Sequence, residues 1–70
     1  NKEDFATAIK LKLGDDIPSW KDIDSAYKLC VGRGMNNDRI EAAIKAKPSD
    51  MQSKIECADI IEHWVANYLK

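Results

Sequence analysis

The chain has 70 residues, of which 44% are hydrophobic and 33% charged, with three glycines and two prolines. This composition is typical of one folded globular domain spanning residues 1–70 and excludes a low-complexity linker. Eleven basic residues against twelve acidic ones give a formal net charge of −1, which excludes the broad positive field that drives nonspecific binding to nucleic acid.

The first predicted helix covers about residues 4–13, where apolar side chains recur at the three-and-four spacing of one helix face. Asn1 can cap its start, and Gly14 can adopt the left-handed conformation that ends a helix. Its predicted inward residues are Phe5, Ala8, Ile9 and Leu13.

The second predicted helix starts at Trp20, because Ser19 followed three residues later by Asp22 is a capping pattern. It should end at Gly32 or Gly34. From Trp20 onward, its predicted inward residues are Ile23, Tyr27, Cys30 and Val31, and the small Ala26 should let a neighbouring helix approach.

A short third helix should be capped by Asn36 or Asn37 and end near Lys47, since Pro48 cannot continue the hydrogen-bond ladder. Its predicted inward residues are Ile40, Ala43 and Ile44.

Ser49 and Gln52 form a capping-box pattern that predicts a fourth helix from about residue 50 to residue 69. Its apolar face is wide enough to touch two or more helices. The residues of that face are Met51, Ile55, Cys57, Ala58, Ile60, Ile61, Trp64, Val65 and Tyr68. Since no segment shows the alternation of a strand, the predicted fold class is all-α, a compact bundle of four to five helices with a long central C-terminal helix.

Two cysteines, Cys30 and Cys57, fall at inward or flanking helix positions. This placement favours reduced, buried thiols over a disulfide and predicts an intracellular, cytoplasmic protein. No apolar run has the length of a membrane span or the pattern of a signal segment, so we expect no contact with a membrane.

The residues that carry chemistry form no recognisable active site. His63 and Asp59 are one helical turn apart, but no placed serine accompanies them, and Cys30, Cys57 and His63 lack the spacing of a zinc site. The aspartates between residues 15 and 24 lack the pattern of a calcium loop. We therefore expect no enzyme activity, catalytic residue, cofactor or metal, with His63 at the surface or its boundary.

Charge is segregated along the chain, and solvation of the bundle surface explains much of it. Opposite patches on one domain also suit association with a protein partner, either a second copy or a different helical domain. The predicted partner-binding residues are Asp15, Asp16, Asp22, Asp24, Arg33, Arg39, Lys45 and Lys47.

Two alternatives remain open for the function. The helix at residues 38–47 carries Arg39, Lys45 and Lys47 and could serve as a DNA-recognition helix, although the preceding turn is longer than the usual three or four residues and Glu41 would face phosphates. The domain could also be a purely structural helical subunit of a larger complex.

Four short motifs resemble the death domain superfamily. They are Trp20-Lys21-Asp22-Ile23, Ile40 with Ile44, Pro48, and Ile61-Glu62-His63-Trp64, in that order. The resemblance covers roughly residues 5–64 and has no counterpart of the family's sixth helix. It implies a signalling adaptor that binds another death-fold domain through charged helical surfaces without catalysis.

Overall fold

A computed structural model of the chain describes residues 1–14 and 16–70. These residues contain four helices and no strand, so the predicted all-α bundle is confirmed. The helices are α1 (Lys2–Leu13), α2 (Trp20–Val31), α3 (Asp38–Ala46) and α4 (Met51–Tyr68). None of the described helices is both long and apolar enough to cross a membrane.

Helices α2 and α4 form the centre of the bundle, because they pack against each other and against both remaining helices. In the described part of the chain, α1 and α3 do not touch each other. The predicted central position of α4 is therefore confirmed, and α2 shares it. The first and third helices lie on separate sides of this central pair.

Side-chain caps set the start of three helices where the sequence predicted them. The Asn1 Oδ1 atom accepts the Asp4 backbone N–H at 2.8 Å. Ser19 Oγ accepts the Asp22 N–H at 3.2 Å and donates to the Asp22 carboxylate at 3.0 Å. Asn37 Oδ1 accepts two N–H groups of α3, at 2.9 and 3.1 Å. Each cap satisfies amide groups that have no partner inside the helix.

The predicted capping box of Ser49 and Gln52 is wrong, because α4 begins one residue later than that pattern requires. Asp50 is the N-cap, and its carboxylate accepts the backbone N–H of Ser53 at 2.8 Å and the Ser53 hydroxyl at 2.6 Å. The hydroxyl and then the amide of Ser53 hold the pKa of Asp50 below its usual value. Asp50 offers a charged acceptor at the positive end of the helix, an advantage that Ser49 lacks.

Most predicted inward positions are buried, and four isoleucines, one from each helix, are almost completely enclosed. These four are Ile9, Ile23, Ile40 and Ile61. Two residues that were predicted to face inward are exposed instead. Val31 is 45% exposed because it borders an open groove beside α3, and Met51 is 60% exposed at the first position of α4.

A hydrogen bond between distant parts of the chain holds the connection between α3 and α4 against α2. The third helix ends at Ala46, its C-cap Lys47 adopts a left-handed conformation with φ of 48°, and Pro48 follows. The buried Trp20 ring donates its Nε1–H to the Pro48 carbonyl at 2.8 Å. The start of α2 is thereby fixed to the turn that precedes α4.

Candidate interaction surfaces

The only histidine of the sequence is exposed on α4. The His63 Nε2 atom lies 2.9 Å from the side-chain amide nitrogen of Asn67, one turn further along the helix. This contact takes the place of the possible pairing with Asp59. His63 lines none of the grooves described below, whereas Asp59 lines two of them, so none of these grooves contains both residues of the predicted pair.

Both cysteines are buried, and they are not joined by a disulfide. Burial raises the pKa of Cys30 to about 11. Burial also raises the pKa of Cys57, with Glu56 adding to this effect and Arg39 opposing it. Thiols with raised pKa values stay protonated at neutral pH and are poor nucleophiles and ligands. Among the described residues, no three His, Cys, Asp or Glu side chains are placed to hold a metal ion.

The structure separates the predicted acidic residues into different roles. Asp15 lies outside the described residues. Asp22 takes part in the cap of α2, and Asp24 forms an ion pair with Lys28 at 3.1 Å, one turn further along α2. Asp16 is exposed between α1 and α2. Of the predicted acidic residues that the structure describes, Asp22 is therefore engaged in a helix cap, whereas Asp16 is exposed and Asp24 remains partly exposed.

Arg33 holds the ends of two helices together. Its guanidinium carbon lies 5.2 Å from the centre of the Phe5 ring and 5.5 Å from that of Tyr68, and its Nη1 donates to the Tyr68 hydroxyl at 2.9 Å. The Phe5 and Tyr68 rings meet edge to face at 4.9 Å. These contacts assign Arg33 a structural role between α1 and α4.

The remaining predicted cations lie on different sides of α3. Lys45 lines a groove between α3 and α2, whereas Arg39 lines a groove between α3 and α4, where Glu56 and Asp59 also lie. Lys47 is exposed at the C-terminal cap of α3. The structure therefore brings Asp24 and Lys45 to one groove and does not gather the three cations on one helix face.

We name the groove between α2 and α3 the α2–α3 groove. It has a volume of about 320 Å³, and its walls are predominantly apolar. Its lining residues are Asp24, Tyr27, Lys28, Val31, Glu41, Ile44 and Lys45. Each helix contributes an acidic residue followed one turn later by a lysine, so charges of both signs flank the apolar surface.

Tyr27 connects the two walls of the α2–α3 groove. Its buried hydroxyl donates to Glu41 Oε1 at 2.7 Å and accepts the backbone N–H of Asn37 at 3.0 Å. Burial is the main cause that raises the pKa of Tyr27, the Asn37 backbone opposes it, and Glu41 adds to it. Because Asn37 is also the N-cap of α3, this hydroxyl fixes where α3 begins.

We name a second groove, between residues 16–18 and α4, the acidic groove. It has a volume of about 320 Å³ and is lined by Asp16, Ile17, Pro18, Ile55, Ala58, Asp59 and Glu62. Of the lining side chains that the structure describes, three are carboxylates and none is basic. A groove of about 490 Å³ between α1 and α4 adjoins it and shares Glu62.

The sequence reasoning missed several residues of these grooves. It treated Tyr27 only as an inward residue. It named Glu41 only as a residue that would face DNA phosphates and Glu62 only as part of a family motif, and neither was among the predicted partner-binding residues. One available signal was the acid-to-lysine spacing of four residues in both α2 and α3, which places Glu41 beside Lys45. No local pattern places Glu62 beside residues 16–18.

Comparison of the chain with models of protein families, with curated proteins and with solved structures finds no match.

Proposed function

We propose that this chain is a non-catalytic protein-interaction domain that binds another helical domain through the α2–α3 groove. The observation that carries this proposal is the combination of an apolar groove with an acid and a lysine on each wall. Apolar contact supplies affinity, and flanking charges set orientation and exclude wrong partners. The predicted residues Asp24 and Lys45 belong to this surface.

The groove has apolar surface that remains free for contact. Val31 is 45% exposed, and Ile44 is half-buried against the core. Burying such side chains under a partner releases about 25 cal/mol for each Å² removed from water. Helix-in-groove recognition uses this arrangement, in which the apolar ridge of one helix enters a groove between two others.

The charge pattern defines the chemistry of the partner. Asp24 and Lys28 are one turn apart on α2, and Glu41 and Lys45 are one turn apart on α3. The complementary occupant is a helix whose apolar ridge is bordered by both acidic and basic side chains. A second copy and a different helical domain both satisfy this description, as the death domain resemblance also implies.

The proposed location of the domain is the interior of a cell. Free, buried Cys30 and Cys57 are typical of the reducing interior of a cell, so we place the domain there.

The DNA-binding alternative receives no comparable support, because Arg39 and Lys45 line grooves on different sides of α3. A structural subunit of a larger complex would use the α2–α3 groove in the same way.

A site-specific cross-linking experiment tests this proposal. A photo-reactive amino acid replaces either Val31 in the groove or Leu11, which is 78% exposed on α1 and lines none of the described grooves. Each form is irradiated alone and in cell extract, and products are identified by mass spectrometry. We expect a discrete product from position 31 and none from position 11.

Charge reversal distinguishes specific docking from chance capture. Lys45→Glu should abolish the product from position 31, whereas Lys12→Glu, which also reverses a lysine in the last turn of a helix, should leave it unchanged. Sedimentation velocity of the unmodified chain shows whether the partner is a second copy. Equal products from positions 31 and 11, or a product that survives Lys45→Glu, would refute the assignment of this groove.

A further inference from the structure

The acidic groove combines an apolar floor with a rim of one charge sign. Ile17 is 44% exposed, Ile55 is half-buried and Ala58 is buried, and all three line the groove. Asp16, Asp59 and Glu62 line it too, and each of these residues is exposed. The groove therefore offers an apolar contact and several carboxylates within one small surface.

The charge of this surface is not balanced by its own lining. Within the described residues, no lysine or arginine lines the groove. Two grooves that share one residue with it each carry a cation, Lys10 in the groove that shares Glu62 and Arg39 in the groove that shares Asp59. This differs from the α2–α3 groove, where each wall carries both signs. A ligand that brings positive charge to the acidic groove meets carboxylates without displacing a lining cation.

We propose that the acidic groove binds a short basic segment of a partner protein, in which an apolar residue is followed by lysine or arginine. The apolar side chain enters between Ile17 and Ile55, and the cations that follow it pair with Asp59 and Glu62. This inference rests on the proposed interaction function but uses a different surface from the α2–α3 groove.

The dimensions of the groove set the length of the segment. Ile55 and Glu62 are seven residues apart on α4, which corresponds to about 10 Å along the helix axis at about 1.5 Å per residue. An extended chain advances by about 3.3 Å per residue, so about three residues span this distance. Along α4, Asp59 and Glu62 both lie on the C-terminal side of Ile55, so a segment with an apolar residue at one end followed by basic residues matches the groove.

A titration with synthetic peptides tests the inference. The probe is an acetylated and amidated six-residue peptide of alternating lysine and leucine, added to the ¹⁵N-labelled chain and followed by NMR. A second peptide has glutamate in place of lysine, and a third has serine in place of leucine. We expect shifts at Ile17, Ile55 and Glu62 with the first peptide, weaker binding of the third, and none of the second.

Variants on the same helix provide the matched control. Asp59→Asn and Glu62→Gln should each weaken binding of the lysine–leucine peptide by about two- to fivefold, the range of an exposed ion pair. Glu56→Gln, which alters a carboxylate of α4 that lines the groove with α3, should leave it unchanged. Higher salt should weaken binding further, because it screens exposed charges.

Three outcomes would overturn the inference: equal binding of the glutamate peptide, shifts centred on Val31 and Ile44 with the lysine peptide, or no binding at all. If these occur while Lys45→Glu still abolishes cross-linking at position 31, only the acidic groove is wrongly assigned. If cross-linking at position 31 also fails, the proposed interaction function is refuted with it.

Discussion

The hydroxyl of Tyr27 should be a principal stabilising contact between α2 and α3. Tyr27→Phe preserves the buried ring and removes only the oxygen that donates to Glu41 and accepts from Asn37. The Glu41 carboxylate is exposed and can return to water, but the Asn37 N–H is left partly buried without its partner. The loss should therefore come mainly from the Asn37 amide.

The magnitude follows from typical hydrogen-bond energies. The net contribution of a hydrogen bond to stability is about 0.5–1.5 kcal/mol, and a buried donor left without a partner costs about 1–3 kcal/mol. We therefore expect Tyr27→Phe to lower the unfolding free energy by about 1–2 kcal/mol. A chain of this length should have an unfolding free energy of about 4–10 kcal/mol. The melting temperature should fall by about 4–8 °C for each kcal/mol lost.

Urea unfolding followed by far-UV circular dichroism measures this loss. Tyr68→Phe is the matched control, because the same oxygen is removed from a solvent-exposed bond to Arg33, and its effect should be under about 0.5 kcal/mol. A double-mutant cycle with Glu41→Gln should show coupling of about 1 kcal/mol between Tyr27 and Glu41. Equal effects at Tyr27 and Tyr68, with no coupling to Glu41, would refute the assigned role.

Three further predictions test the caps, the aromatic contact and the buried thiol. Asp50→Ala should lower the melting temperature and Ser49→Ala should not; the reverse order would restore the rejected capping box. Arg33→Ala should cost about 1 kcal/mol in urea unfolding, and Arg33→Lys should recover only part of it. Burial raises the pKa of Cys30 from its ordinary value of 9.0 to about 11, so its contribution to stability is complete below about pH 9. That contribution should fall by about 2 kcal/mol as pH approaches 11. Cys30→Ala should show a shallower decline than the original chain, and parallel declines would contradict this.

The helices and most of the core could be predicted because their signals are local. Apolar spacing and single caps such as Ser19 act over one or two turns, and the folded chain uses them as expected. The start of α4 was ambiguous because Ser49 and Asp50 are adjacent and both can cap a helix. Val31 has the correct helical phase for the core, but its exposure depends on where α3 crosses α2, which no local pattern specifies.

The candidate surfaces were less predictable because they depend on contacts between distant residues. A list of charges does not show which are already used inside the fold, and Arg33 illustrates this, since its partners Phe5 and Tyr68 are at opposite ends of the sequence. Asp22 was a partial exception, because its capping pattern with Ser19 was visible. Glu62 joins the acidic groove only because residues 16–18 fold back against α4.

The third helix packs against α2 and α4 but not against α1, and this affects how readily α3 opens. The third helix has nine residues and one fully buried side chain, Ile40, so fewer apolar contacts hold it than hold the other helices. Its amides should exchange with deuterium through local opening at lower free energy than those of α2 and α4. Since α3 forms one wall of the α2–α3 groove, a partner seated there would slow exchange throughout α3, and the stability of this single helix would set the fraction of molecules ready to bind.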